Sequence, residues 1–236
     1  MIPLYDNVPR VHPPLVVLGI IGLNALVFLS TISLAPQALM DLHFEWGLVP
    51  ARLMHPVWAS HVGYTGTGLP QLVSYMFLHG GWLHVIMNMW MLWIFADNIE
   101  DVTGHRRFVF FYLVCGLIAV LMHMAFNADS TIPIIGASGA VAGVMGAYFV
   151  LYPQGRVATL ILFFVMDVPA TVFLGIWFVV QVVSGLLESS AAVAGIAWWA
   201  HVGGFLSGMA LIRFFVQKDR CYYCYNPEKK HYDRNE

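Results

Sequence analysis

Gly136-Ala137-Ser138-Gly139-Ala140-Val141-Ala142-Gly143-Val144-Met145-Gly146-Ala147-Tyr148 sets one serine at the head of an apolar run made almost wholly of small residues. Such a run reads as a helix that others can approach closely: Gly139 and Gly143 stand four apart on one face, where no side chain holds a neighbour away. A second run, Ala197-Trp198-Trp199-Ala200-His201-Val202-Gly203-Gly204-Phe205-Leu206-Ser207-Gly208, repeats that spacing at Ala200, Gly204 and Gly208 and carries a histidine. Both belong to a chain of 236 residues that is 59% hydrophobic and only 10% charged, with a mean hydropathy of +0.73. Soluble domains carry about 25% charged residues, so the composition is that of a multi-pass membrane protein. A net charge of −2 gives no electrostatic footprint for nucleic acid. The partners expected are the lipid bilayer and other membrane-embedded chains.

Outward from the serine helix, the chain divides into a proline-bearing lead at 1–14, a membrane body at 15–216 and a charged tail at 217–236. The expected fold is an all-α integral membrane bundle of six spans with a long membrane-associated first loop. The first span is the charge-free run from Leu15 to about Leu34, long enough to cross a hydrocarbon core of about 30 Å and so read as a retained helix. Residues 35 to about 78 form the long connection, amphipathic in parts and expected to lie in the interface as short helices. Leu83–Ala96 is the second span, closed by Asp97-Asn98-Ile99-Glu100-Asp101, and Phe108–Phe126 the third. The fourth starts near Ser138 and stops at Tyr152-Pro153-Gln154-Gly155-Arg156, a turn signal. Val157–Met166 is expected as a partly buried lead-in to a fifth span at Val168–Leu187, and Ile196–Val216 as the sixth.

Charge sets the orientation. With six spans, Arg10, Arg106, Arg107, Arg156, Arg213, Lys218, Arg220, Lys229, Lys230 and Arg234 share one face and leave Arg52 alone on the other. The positive-inside rule therefore puts both termini in the cytoplasm and the heads of the fourth and sixth spans toward the outside. From Ser138 to Tyr152 a helix rises about 21 Å, which sets the serine several Å below the outer surface. His201 to Val216 covers a similar rise in the same direction, so the two side chains lie at matching depth.

A serine hydroxyl is a weak nucleophile until a base takes its proton, and neutral His201 can do so from hydrogen-bond distance. No Asp or Glu falls inside any expected span, so the reading is a dyad with no third member to orient the imidazole. Oxyanion donors are available in the Ser138 backbone N–H at a helix start and in His84 and Asn88, four apart on one face. His79 is expected above them at the membrane surface. The bland alternatives are a polar packing cluster and a serine bonded to its own backbone. A metal or haem reading of His79, His84, His123 and His201 lacks carboxylate ligands and any His-Glu-x-x-His pattern. Cys115 falls in an apolar stretch, and Cys221 with Cys224 forms a lone Cys-x-x-Cys on the basic tail, open to a structural metal, free thiols or acylation.

Three stretches together, Phe77-Leu78-His79-Gly80-Gly81-Trp82-Leu83-His84-Val85-Ile86-Met87-Asn88-Met89, Gly136-Ala137-Ser138-Gly139 and Ala200-His201-Val202-Gly203-Gly204, resemble in order and spacing the signatures of the rhomboid intramembrane serine proteases of bacterial six-span type. The resemblance implies Ser138 as nucleophile, His201 as general base, and His84, Asn88 and the Ser138 amide as the oxyanion site. His79, Gly136, Gly139, Gly204 and Gly208 would support them. It also implies hydrolysis of peptide bonds in or beside substrate transmembrane helices, no metal or nucleotide cofactor, and residence in a bacterial inner membrane. Two departures stand out: Ala142 replaces an aromatic residue that in several members supports the histidine, and Leu69-Pro70-Gln71-Leu72-Val73-Ser74 replaces a Trp-Arg pair. An inactive relative that binds transmembrane helices is the strongest competitor. A transporter would show inverted repeats or intramembrane acids, which this sequence lacks.

Overall fold

A computed structural model describes residues 1–187, 196–217 and 220, with 224–226 and 231–233 as backbone only. The elements in chain order are β1 (Ile2–Asp6), α1 (Leu15–Thr31), α2 (Pro36–Trp46), α3 (Pro50–Met54), α4 (Pro56–His61) and α5 (Gln71–Ser74). A 3₁₀ turn at Tyr75–Phe77 leads into α6 (Trp82–Thr103), α7 (His105–Phe126) and α8 (Ser138–Leu151). The chain then forms β2 (Arg156–Ile161), β3 (Phe164–Pro169), α9 (Ala170–Leu187), α10 (Trp198–Phe215), β4 (Cys224–Asn226) and β5 (His231–Asp233). Helices thus occupy all six positions expected for spans. Among the described residues, α7 and α9 are long and apolar enough to cross a membrane, whereas α1 and α8 are apolar but shorter. The long connection is a string of short helices, three of which start on a proline, whose missing N–H costs nothing in a first turn.

α8 is the axis of the molecule, with every residue from Gly139 to Tyr148 buried, and it packs on α6, α7 and α10. Its contact with α10 is made backbone to backbone. A methyl group at Gly204 would overlap the carbonyl oxygen of Gly139, one at Gly208 that of Gly143, and one at Gly146 that of Phe205. The small-residue faces read from the sequence are therefore set against each other.

Two expectations are corrected. The fold is not all-α: β1, β2 and β3 form an antiparallel sheet in that order, with Asp6 opposite Val157 and Val157 opposite Val168. The partly buried lead-in expected at residues 157–166 is thus a β-hairpin, and the lead at 1–14 supplies the sheet's first strand. α6 also runs two turns past Ala96, because its acidic residues find donors at the start of the chain. Glu100 accepts from the backbone N–H of Val16 and Val17 at 2.9 and 2.8 Å, and Asp101 from those of Val11 and His12 at 2.7 and 3.0 Å. The first amides of α1 have no partner within their own helix, so a buried carboxylate caps them. Of the tail pair, Cys221 lies outside the described residues, as does the side chain of Cys224.

Candidate active site

Ser138 is the first residue of α8 and half-buried. The chain enters it through Ile134, which exchanges two backbone hydrogen bonds with Leu48 at 2.8 and 3.0 Å, so the long first connection holds the approach to the serine. Gly136 follows, its N–H bonded to the Tyr75 carbonyl at 2.9 Å. Its φ of +118° lies in the region that disfavours any Cβ. The space is closed as well: a Cβ there would sit 2.6 Å from His84 Nε2 and 3.7 Å from Asn88 Nδ2. His84 and Asn88 therefore stand two residues from the serine.

His201 lies in the first turn of α10. Its neighbour Ala200 places its carbonyl oxygen 3.7 Å from where a Cβ on Gly139 would be, so serine and histidine occupy adjoining turns of two touching helices. His84 and His123 are both near enough to act on the imidazole electrostatically. The Ser138 hydroxyl and His201 share no hydrogen bond in this structure. Such contacts are commonly long in substrate-free enzymes and close on binding. The Asn88 amide donates to the His84 carbonyl of its own helix at 3.1 Å. A donor to a developing oxyanion would have to turn from there.

His79 is buried within the protein, at 3% exposure. Its ring stands edge-on to that of His84 at 5.0 Å. Burial first, and the neighbouring His84 second, push its pKa down to about 4, so it is neutral near pH 7. The histidines considered for a metal or haem do not gather into a group of three or more candidate ligands among the described residues.

The imidazole has a partner the sequence reading missed. Gln181 of α9 places Oε1 2.7 Å from His201 Nδ1, and the Trp177 and Trp198 rings flank the imidazole at 5.8 and 6.2 Å. Ala142, which offers the ring no aromatic support, is simply buried. The one signal available was an amide inside an otherwise apolar span, since such groups face the bundle interior.

Comparison with known proteins identifies the family. The rhomboid domain family model matches residues 67–218, which include every residue just described from Gln71 onward. Rhomboid protein 1, mitochondrial, of Saccharomyces cerevisiae is 25% identical over 226 residues, 91% of this chain and 58% of that protein. The presenilin-associated rhomboid-like protein, mitochondrial, of Mus musculus is 30% identical over 148 residues, 62% of this chain and 35% of that one. RHOMBOID-like protein 6, mitochondrial, of Arabidopsis thaliana is 28% identical over 148 residues, 60% of this chain and 42% of its own length. The chain thus spans between about a third and three fifths of these relatives. Their names place them in mitochondria, which does not support the bacterial membrane expected from the sequence; what stands is a membrane protein. With a family model covering well over half its length and the family's three motifs gathered around one helix start, this chain is a member of the rhomboid family.

Proposed function

We propose that the protein is an intramembrane serine endopeptidase that cuts peptide bonds in or beside the transmembrane helices of other membrane proteins. The observation that carries this reading is the close backbone contact of α8 with α10 at their glycines, which sets Ser138 and His201 on adjoining turns beside His84 and Asn88. In the reaction, Ser138 Oγ bonds to the scissile carbonyl carbon while its proton passes to His201 Nε2. The negative oxygen is held by the Ser138 amide, by His84 and by Asn88 once its amide turns from the His84 carbonyl. Collapse breaks the C–N bond, and His201 returns the proton to the departing amine. Water, deprotonated by His201, then frees the acyl group as a carboxylic acid and restores the serine.

Six spans, cytoplasmic termini and an outward-facing site complete the reading. It is supported by the way Arg10 at Asp97 and Arg107 at the carbonyls of Phe215 and Val216 gather at the end of the bundle opposite Ser138. A peptide bond inside a regular helix is shielded, so the substrate is a single-span helix that unwinds near Gly, Pro or another small residue. No cofactor enters the reaction. A bacterial inner membrane is the proposed location, with a mitochondrial membrane, the compartment named for the relatives, as the alternative that fractionation of the native host decides. The test is reconstitution in liposomes with a single-span model substrate. Cleavage by the wild type that disappears in Ser138→Ala supports the proposal; equal product from both chains refutes it. A folded wild type that captures the substrate uncut favours a non-cutting helix binder.

A further inference from the structure

The imidazole of His201 is held from α9 by an arrangement that fixes where its proton sits. Gln181 is buried, at 5% exposure, and its amide nitrogen donates to the Trp177 carbonyl of the preceding turn at 3.1 Å. A backbone carbonyl can only accept, so the NH2 group must face Trp177 and the amide oxygen must face the ring. That oxygen lies 2.7 Å from His201 Nδ1 and carries no hydrogen, so the Nδ1 of a neutral ring must donate. A neutral imidazole has one N–H; with that proton on Nδ1, the lone pair on Nε2 is free for the serine. Free histidine prefers the opposite tautomer, so the amide selects the catalytically useful form. The helix carrying it is locked to α10 one turn later, where a Cβ on Gly185 would lie 3.2 Å from the Trp199 ring and 3.4 Å from Trp198.

We infer that Gln181 is the positioning residue of the catalytic histidine, so that the working set is Ser138, His201 and Gln181. This rests on the protease reading above. A neutral amide suits the site, because a carboxylate among these apolar helices would be costly to bury. The difference is that an amide stabilises the imidazolium less than a carboxylate would. Because Gln181 belongs to α9, the competence of the base depends on where that helix sits. Among the described residues, the titratable groups that act electrostatically on His201 are His84 from α6 and His123 from α7, and neither bonds to Nδ1.

The test uses full-length protein with 15N-labelled histidine in micelles, His201 being assigned from its loss in His201→Ala. The expected wild-type signature is a neutral ring protonated at Nδ1, lost in Gln181→Leu. In parallel, fluorophosphonate labelling of Ser138 is followed against pH. Gln181→Leu is expected to slow it about 10- to 30-fold, the loss of one buried hydrogen bond. Gln181→Glu is expected to restore the rate to within about threefold while moving the acidic limb of the profile to higher pH, since a carboxylate favours the charged ring. Should Gln181→Leu not fold, Gln181→Asn, which shortens the acceptor, takes its place. A wild-type ring protonated at Nε2, a tautomer unchanged by the substitution, or labelling that keeps its wild-type rate and limb would each overturn the inference. Failure of wild type to label overturns the hydrolase reading instead, and the tautomer still decides the role of Gln181.

Discussion

Gly136 is the residue at which fold and proposed chemistry depend on one missing methyl group. Its φ of +118° disfavours a side chain, and any Cβ would push on His84. Gly136→Ala is expected to cost about 1–3 kcal/mol of stability from backbone strain. It should also slow fluorophosphonate labelling about tenfold or more by displacing a donor from the oxyanion site. Thermal unfolding in micelles and labelling kinetics read the two effects separately. At this scale the sequence was informative where chemistry is local: Gly-x-Ser at a helix start and His-x-x-x-Asn on one face are patterns of neighbours. Gln181 was not visible in that way, because an uncharged amide 20 positions before its histidine has no spacing to betray it. The absence of an acid from the spans does not leave the histidine without an orienting partner, because an amide can accept from its ring.

At the scale of elements, the pairing of α8 with α10 follows from glycines that admit no substitution on the contact face. Gly204→Ala and Gly208→Ala each drive a methyl into a carbonyl oxygen of α8 and are expected to destabilise by about 1–3 kcal/mol or more. Gly22→Ala in α1, where nothing lies within 4 Å, should be neutral or stabilising by up to about 1 kcal/mol. Denaturant unfolding in micelles distinguishes the two classes, and equal losses at all three positions would refute the close-contact account. Apart from the end of α6, the starts and stops of the bundle helices were readable because hydropathy changes sharply at their ends. The β2–β3 hairpin was not. Its run from Val157 to Val168 lacks strict alternation, since Val157, Ala158 and Thr159 are all buried while Leu162 to Met166 are all exposed. Nor was the extension of α6 readable, because Glu100 and Asp101 find their donors more than 80 residues away.

For the whole molecule, the first strand ties the chain's start to the foot of the serine helix. Tyr148 of α8 donates its hydroxyl to Asp6. Burial raises the pKa of Asp6 from 3.8 to about 7, Tyr148 opposing the rise and Asp97 adding to it. The unfolded chain thus releases this proton near pH 4 and the folded chain near pH 7. The stability contribution of Asp6 is therefore full below about pH 4 and falls as pH rises toward 7. Asp6→Asn, which still accepts from Tyr148, is expected to gain thermal stability relative to wild type as pH goes from 5 to 8; a constant difference across that range would contradict the assignment. Composition alone made the membrane character readable, whereas the placement of residues 1–14 against the body was not, since a polar lead carries no periodicity that names its partner.

The measurement that bears most directly on the central claim is fluorophosphonate labelling of the purified protein in bilayers, comparing wild type with Ser138→Ala, His201→Ala and Ser207→Ala. Ser207 is the control, a buried hydroxyl bonded to the Gly204 carbonyl at 2.7 Å on the same helix as His201. The account predicts labelling in wild type and Ser207→Ala and none in the other two, as expected if Ser138 is activated by His201. A folded wild type that takes up no probe, or labelling that survives in Ser138→Ala, would contradict it.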